Sequence, residues 1–150
     1  MLHLKQELFN KCLEYVEERI ASTESAITQA KDASQDDTKS SAGDKYETTR
    51  EMMQQEISRN EAQLLEAKKL KHALLQISLT RNSTIIENGS IVITNNGKFF
   101  IAISGGQMTV QGSTYFVISS ASPIGRLMLG LKKGETFSFK GKYFEVENVG

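Results

Sequence analysis

The sequence predicts an α+β chain: an N-terminal antiparallel helical hairpin, paired as a coiled coil, followed by a small antiparallel β domain with one short helix. Three observations lead there. The first half has no proline and a single glycine, Gly43, among residues dominated by Glu, Lys, Gln, Ala, Leu and Met, which favour helix. Its apolar residues recur at helical spacing. After Leu79 the composition changes to short apolar runs punctuated by Asn and Gly, the pattern of strands joined by tight turns. The boundaries that follow are residues 1–80 for the hairpin and 81–150 for the β domain.

In the first helix, Leu13, Val16, Ile20, Thr23, Ile27 and Ala30 alternate at spacings of three and four. That is the seam of a coiled coil, and Leu2 and Phe9 extend the register backwards. The second helix has a weaker stripe, Met53, Ile57, Leu64, Ala67 and Leu74, with Asn60 and Lys71 as polar interruptions. Between them lies a polar break over residues 34–43, rich in turn formers and without a large apolar residue. Two helices of similar length joined by a short break fold back on each other. Each is too polar to be stable alone, so the two pair.

In the second half, Ile91-Val92-Ile93 and the run from Phe99 to Ile103 flank Asn95-Asn96-Gly97, a hairpin signal. Further strands are expected at 108–110, 115–118, 136–139 and 143–149, with Lys140-Gly141 in the last turn. Residues 122–130 interrupt this pattern. Ser122 suits an N-cap, Pro123 the first helical position and Gly130 the stop.

Composition excludes several classes. The chain has 150 residues with 18 basic and 18 acidic side chains. Residues 1–80 carry eleven basic against fourteen acidic, a net of −3, and residues 81–150 seven against four, a net of +3. Neither half is basic enough for a protein that binds DNA or RNA by neutralising phosphates, so sequence-specific DNA binding is not expected. No run approaches the roughly 18 apolar residues of a membrane span. The first residues lack a basic region followed by an apolar run, so a cytoplasmic location is expected. Cys12 is the single cysteine, which excludes an internal disulfide and a cysteine-based zinc site. It falls beside the apolar stripe and reads as a small buried hydrophobe.

Two segments carry chemistry beyond the fold. The first is Gly43-Asp44-Lys45-Tyr46-Glu47, where the hairpin turns. Asp44 and Glu47 are three residues apart at a helix start, so they suit a capping box and the positive end of the helix dipole. The same spacing sets two carboxylates on one exposed point, where they can share a hard cation such as Mg2+. Both readings stay open on spacing alone. The second segment is Ser122-Pro123-Ile124-Gly125-Arg126-Leu127-Met128-Leu129-Gly130, followed by Leu131-Lys132-Lys133-Gly134-Glu135. On its own it reads as a helix that closes one face of the sheet.

Together these segments resemble the bacterial Gre transcript-cleavage factors (the GreA/GreB family). The C-terminal run is similar to that family's Ser-Pro-Ile-Gly/Ala-Arg stretch with its later Gly-Asp, ahead of a final β-hairpin. The tip resembles its Gly-Asp-Leu-x-Glu, and Arg50-Glu51 with Gln54-Gln55 resembles the Arg-Glu-Gln-Gln that follows. Here Lys45 replaces the tip leucine, and Thr48-Thr49-Arg50-Glu51 stands where the family has Asn-Ala-Glu-Tyr.

The resemblance implies an FKBP-like β domain and a transcription elongation factor whose partner is RNA polymerase. It implies that Asp44 and Glu47 act in trans, inside the polymerase's secondary channel. There they help hold a second Mg2+ shared with the polymerase, while backtracked RNA is cut by the polymerase's own centre. It further implies that Ser122, Pro123, Ile124, Gly125 and Arg126 bind polymerase. The chain is then an accessory factor and not an enzyme. The alternatives are a non-cleaving competitor of the same kind and a coiled-coil adaptor.

Overall fold

The computed structural model describes the main chain of residues 2–40 and 44–150, and the side chains of residues 2–33 and 48–150. Helix α1 runs Leu2–Ser40 and α2 runs Asp44–Leu75. At 1.5 Å per residue they are roughly 58 and 48 Å long. Helix α1 outlasts the sequence expectation, because residues 34–40 are helical although the composition reads as a break. The stretch Ser34-Gln35-Asp36-Asp37-Thr38-Lys39-Ser40 has no glycine or proline. Its propensity cost is only tenths of a kcal/mol per residue, too little to stop a helix already under way.

The chain forms two compact units. One is Val16–Lys71, the paired lengths of α1 and α2. Val16, Thr23, Ile27 and Ala30 of α1 are buried there, as are Ile57 and Ala67 of α2. These are positions of the two expected stripes. Lys71 Nζ lies 3.5 Å from Glu17 Oε1, which sets the end of α2 against the start of α1 within this unit and makes the pair antiparallel. The polar seam positions are satisfied internally. Thr23 Oγ1 donates to the Arg19 carbonyl at 2.7 Å, and Asn60 Nδ2 donates to the Glu56 carbonyl at 3.0 Å.

The other unit joins Met1–Tyr15 with His72–Gly150. It holds six strands: β1 Ile91–Thr94, β2 Gly97–Ile101, β3 Gly106–Val110, β4 Ser113–Ile118, β5 Thr136–Phe139 and β6 Lys142–Val149, with helix α3 Pro123–Met128 between β4 and β5. The sheet order is β3-β4-β2-β1-β6-β5. Four pairings are antiparallel, and β2 with β4 is parallel. The expected turns form. Lys140 and Gly141 take φ of 49° and 79°, the left-handed pair of a two-residue hairpin loop between Phe139 and Lys142.

Register divides the sheet into two faces. Val92 lies opposite Phe99, and these two join Ile86, Ile101, Met128, Phe144 and Val146 in one buried cluster, with Ile124 and Phe137 packed at its margin. The rings of Phe137 and Phe144 stack at 4.8 Å. The other face follows from the pairs Ile91–Phe100, Phe100–Val117 and Met108–Tyr115. Ile91, Phe100, Val117 and Tyr115 are all buried. Cys12 Sγ sits 4.0 Å from Met108 Sδ, so the first turns of α1 cover this second face.

That packing rotates the buried stripe of α1. Sequence spacing extends the seam through Leu2 and Phe9. In the structure Leu2 is 56% exposed, and the buried residues are Lys5, Leu8 and Cys12. The start of α1 packs on a sheet, and a sheet selects a different helix face from the one that suits a second helix. Among the described residues, no helix is long and apolar enough to cross a membrane.

Candidate functional site

The Ser122–Arg126 segment is built as a capped turn. Ser122 has extended dihedrals, φ −66° and ψ 157°, so its hydroxyl faces the helix it precedes. Ser122 Oγ accepts from the Gly125 N–H at 3.0 Å and donates to the Ser119 carbonyl at 2.7 Å. Pro123 occupies the first turn, where its missing N–H leaves nothing unsatisfied. The helix ends as its sequence requires. Leu129 N–H donates back to the Gly125 carbonyl at 3.0 Å, and Gly130 N–H donates to the Ile86 carbonyl at 2.9 Å. Gly130, with φ 84°, follows the cap.

Gly125 is the tight point. It is buried, and a Cβ built on it would collide with the Ser119 carbonyl oxygen. Ile124 and Met128 turn inward to the core. What α3 presents outward is Arg126, exposed, with Leu127 and Leu129, 43% and 41% exposed. Lys132 and Lys133 follow, also exposed. Ile85, 43% exposed, is bridged to Lys132 in an antiparallel pair. This exposed stretch mixes apolar side chains with cations. It contains no nucleophile–base pair.

The other candidate residues are Asp44 and Glu47. The main chain places Asp44 first in α2 and Glu47 three residues on, within the first turn. Their side chains lie outside the described residues, as do those of Lys45 and Tyr46. The donor set itself suits a hard cation. Two carboxylates offer oxygen ligands to Mg2+, which keeps much of its water and takes few protein groups. Among the described residues, no group of three or more His, Cys, Asp or Glu is gathered for a metal.

Cys12 is no nucleophile in this setting. It is buried, and burial pushes its thiol up to about 12, so the reactive thiolate is scarce at neutral pH. Sequence reasoning missed Lys5, a buried cation in α1. Its one signal is its position, one turn before Leu8 on the stripe that faces the sheet. The chain matches no protein-family model and no curated protein.

Proposed function

We propose that this chain is a Gre-like transcription elongation factor of the cytoplasm. It binds RNA polymerase, and the hairpin tip enters the secondary channel. There Asp44 and Glu47 help hold the second magnesium ion and promote cleavage of backtracked RNA. The observation that carries this reading is a coincidence within one chain. A helical pair whose second helix starts at Asp44 precedes a β unit in which Ser122-Pro123-Ile124-Gly125-Arg126 folds as a capped turn ahead of a final hairpin.

The chemistry is consistent with a shared site. Two carboxylates make a weak magnesium site alone and an adequate one when a second protein supplies the remaining ligands. The ion, when held there, neutralises developing charge and lowers the pKa of its bound water. This chain supplies the negative charge and the means of delivery. The polymerase supplies the reaction centre, so the chain is an accessory factor. Arg126 with Leu127 and Leu129 forms the docking face on the polymerase.

A second reading is a Gre-like competitor that occupies the channel without cleavage. Lys45 between the two acids favours it, because a cation there opposes recruitment of another. Co-purification of the full chain with core RNA polymerase tests both readings, with Arg126→Glu as the control that weakens docking. Absence of any association overturns both and leaves a coiled-coil adaptor.

A further inference from the structure

A cavity of about 260 Å³ lies in the sheet-containing unit, beside the first turn of α1. Leu2, Lys5, Leu79, Thr80, Arg81 and Asn82 line it. Lys5 is the unusual member. It is only 5% exposed, yet lysines are almost never fully buried unless they are paired. Its Nζ has three N–H donors, and among the described residues the acceptor it meets is the Arg81 carbonyl, at 3.4 Å. Among the described residues it forms no ion pair within 4 Å. Glu87, the nearby acid, is held by Arg81 Nε at 3.0 Å. Gly150 closes the cavity, and its N–H and carbonyl both pair with Ile91.

The lining combines the apolar Leu2 and Leu79 with residues able to donate hydrogen bonds. Lys5, Thr80 and Asn82 can each donate from a side chain, and Thr80 Oγ1 also lies 3.4 Å from Ser78 Oγ. The first turn of α1, Leu2-His3-Leu4-Lys5, contains no acid to offset the positive end of that helix. The cavity, at about 260 Å³, is smaller than the roughly 300–1,000 Å³ of drug-sized sites, so it suits an ion or a single phosphate group and does not enclose a whole nucleotide. A lysine acts on phosphate as a point charge. Burial also lowers the Lys5 pKa, partly countered by Glu87, so an anion brought alongside restores what desolvation costs.

We propose that this cavity binds a small tetrahedral oxyanion, inorganic phosphate or the phosphate end of a phosphomonoester, with Lys5 as its principal cation and Thr80 and Asn82 as further donors. The site is independent of Asp44, Glu47 and α3, so it stands or falls apart from the polymerase reading.

The test is titration of the full ¹⁵N-labelled chain with inorganic phosphate at constant ionic strength, with chloride as the control and adenosine monophosphate as a second arm. Saturable shifts of the Lys5, Thr80, Arg81 and Asn82 amides, absent with chloride, are expected. A response to phosphate alone identifies a free ion, and a response to both probes identifies the phosphate end of a larger molecule. Lys5→Met is expected to weaken binding at least about tenfold, the scale of one charge-assisted hydrogen bond. Should that variant not fold, Thr80→Val with Asn82→Ala provides the same comparison. No response of the wild-type amides beyond chloride overturns the proposal. Undiminished binding in the folded Lys5→Met variant also overturns it.

Discussion

Gly125 and Ser119 are in direct opposition: the α-carbon of Gly125 faces the Ser119 carbonyl so closely that no Cβ fits between them. The Ser119 carbonyl is pinned, since it accepts from both the Ser122 N–H and the Ser122 hydroxyl. Gly125→Ala must therefore displace main chain. It is expected to destabilise the fold by about 1–3 kcal/mol, the usual cost of overpacking. Urea unfolding of the full chain measures this as a lower midpoint at unchanged slope.

Ser122 is the N-cap of α3. Ser122→Ala is expected to cost about 1 kcal/mol, and Ser122→Asp is expected to recover most of it, because Asp caps comparably well. Thermal unfolding of the three chains separates the outcomes. Equal stability of wild type and the alanine variant would contradict the capping role.

The rotated stripe of α1 makes a sharp contrast. Leu8 is fully buried and Leu2 is 56% exposed. Leu8→Ala is expected to cost about 2–5 kcal/mol, and Leu2→Ala less than about 0.5 kcal/mol. Under the uninterrupted coiled-coil register, Leu2 would be the costlier loss.

Cys12 gives a pH dependence with a definite sign. Its folded thiol titrates near 12 against an ordinary value of 9.0. Above pH 9 the unfolded chain releases the proton before the folded one does, so folding stability is intact below 9 and falls as pH rises towards 12. The slope is on the order of 1 kcal/mol per pH unit. Lys5 has the opposite sign, because its folded value is lowered, and it titrates in both chains. The difference between wild type and Cys12→Ala therefore isolates the thiol. Native Cys12 is also expected to resist a thiol reagent at neutral pH until urea is added.

Much of this fold is legible in local chemistry. Ser122, Pro123 and Gly130 announce α3, and Lys140-Gly141 announces the last hairpin, because caps and turns are decided by residues within a few positions. The parallel pairing of β2 with β4 is not announced, since Phe99 opposite Phe116 joins strands on either side of β3 and no turn residue encodes that. The full extent of α1 is not legible, because residues 34–40 are polar in composition yet nothing there disrupts the main-chain ladder. Burial of Lys5 is missed for a related reason: a charged residue reads as surface until the sheet that covers it is in place. For the candidate residues, spacing sets Asp44 and Glu47 at a helix start and local chemistry sets Ser122–Arg126 in a capped turn, while the roles proposed for both come only from the resemblance to the Gre factors. The outward face formed by Arg126, Leu127 and Leu129 emerges only when Ile124 and Met128 turn inward.

The most direct test of the account is RNA cleavage in stalled, backtracked RNA polymerase complexes with magnesium present. The full chain is expected to accelerate cleavage over polymerase alone, and Asp44→Ala with Glu47→Ala is expected to abolish the acceleration while leaving polymerase association intact. Cleavage unaffected by the wild-type chain, or equally fast with the double variant, would contradict the role given to the two tip acids.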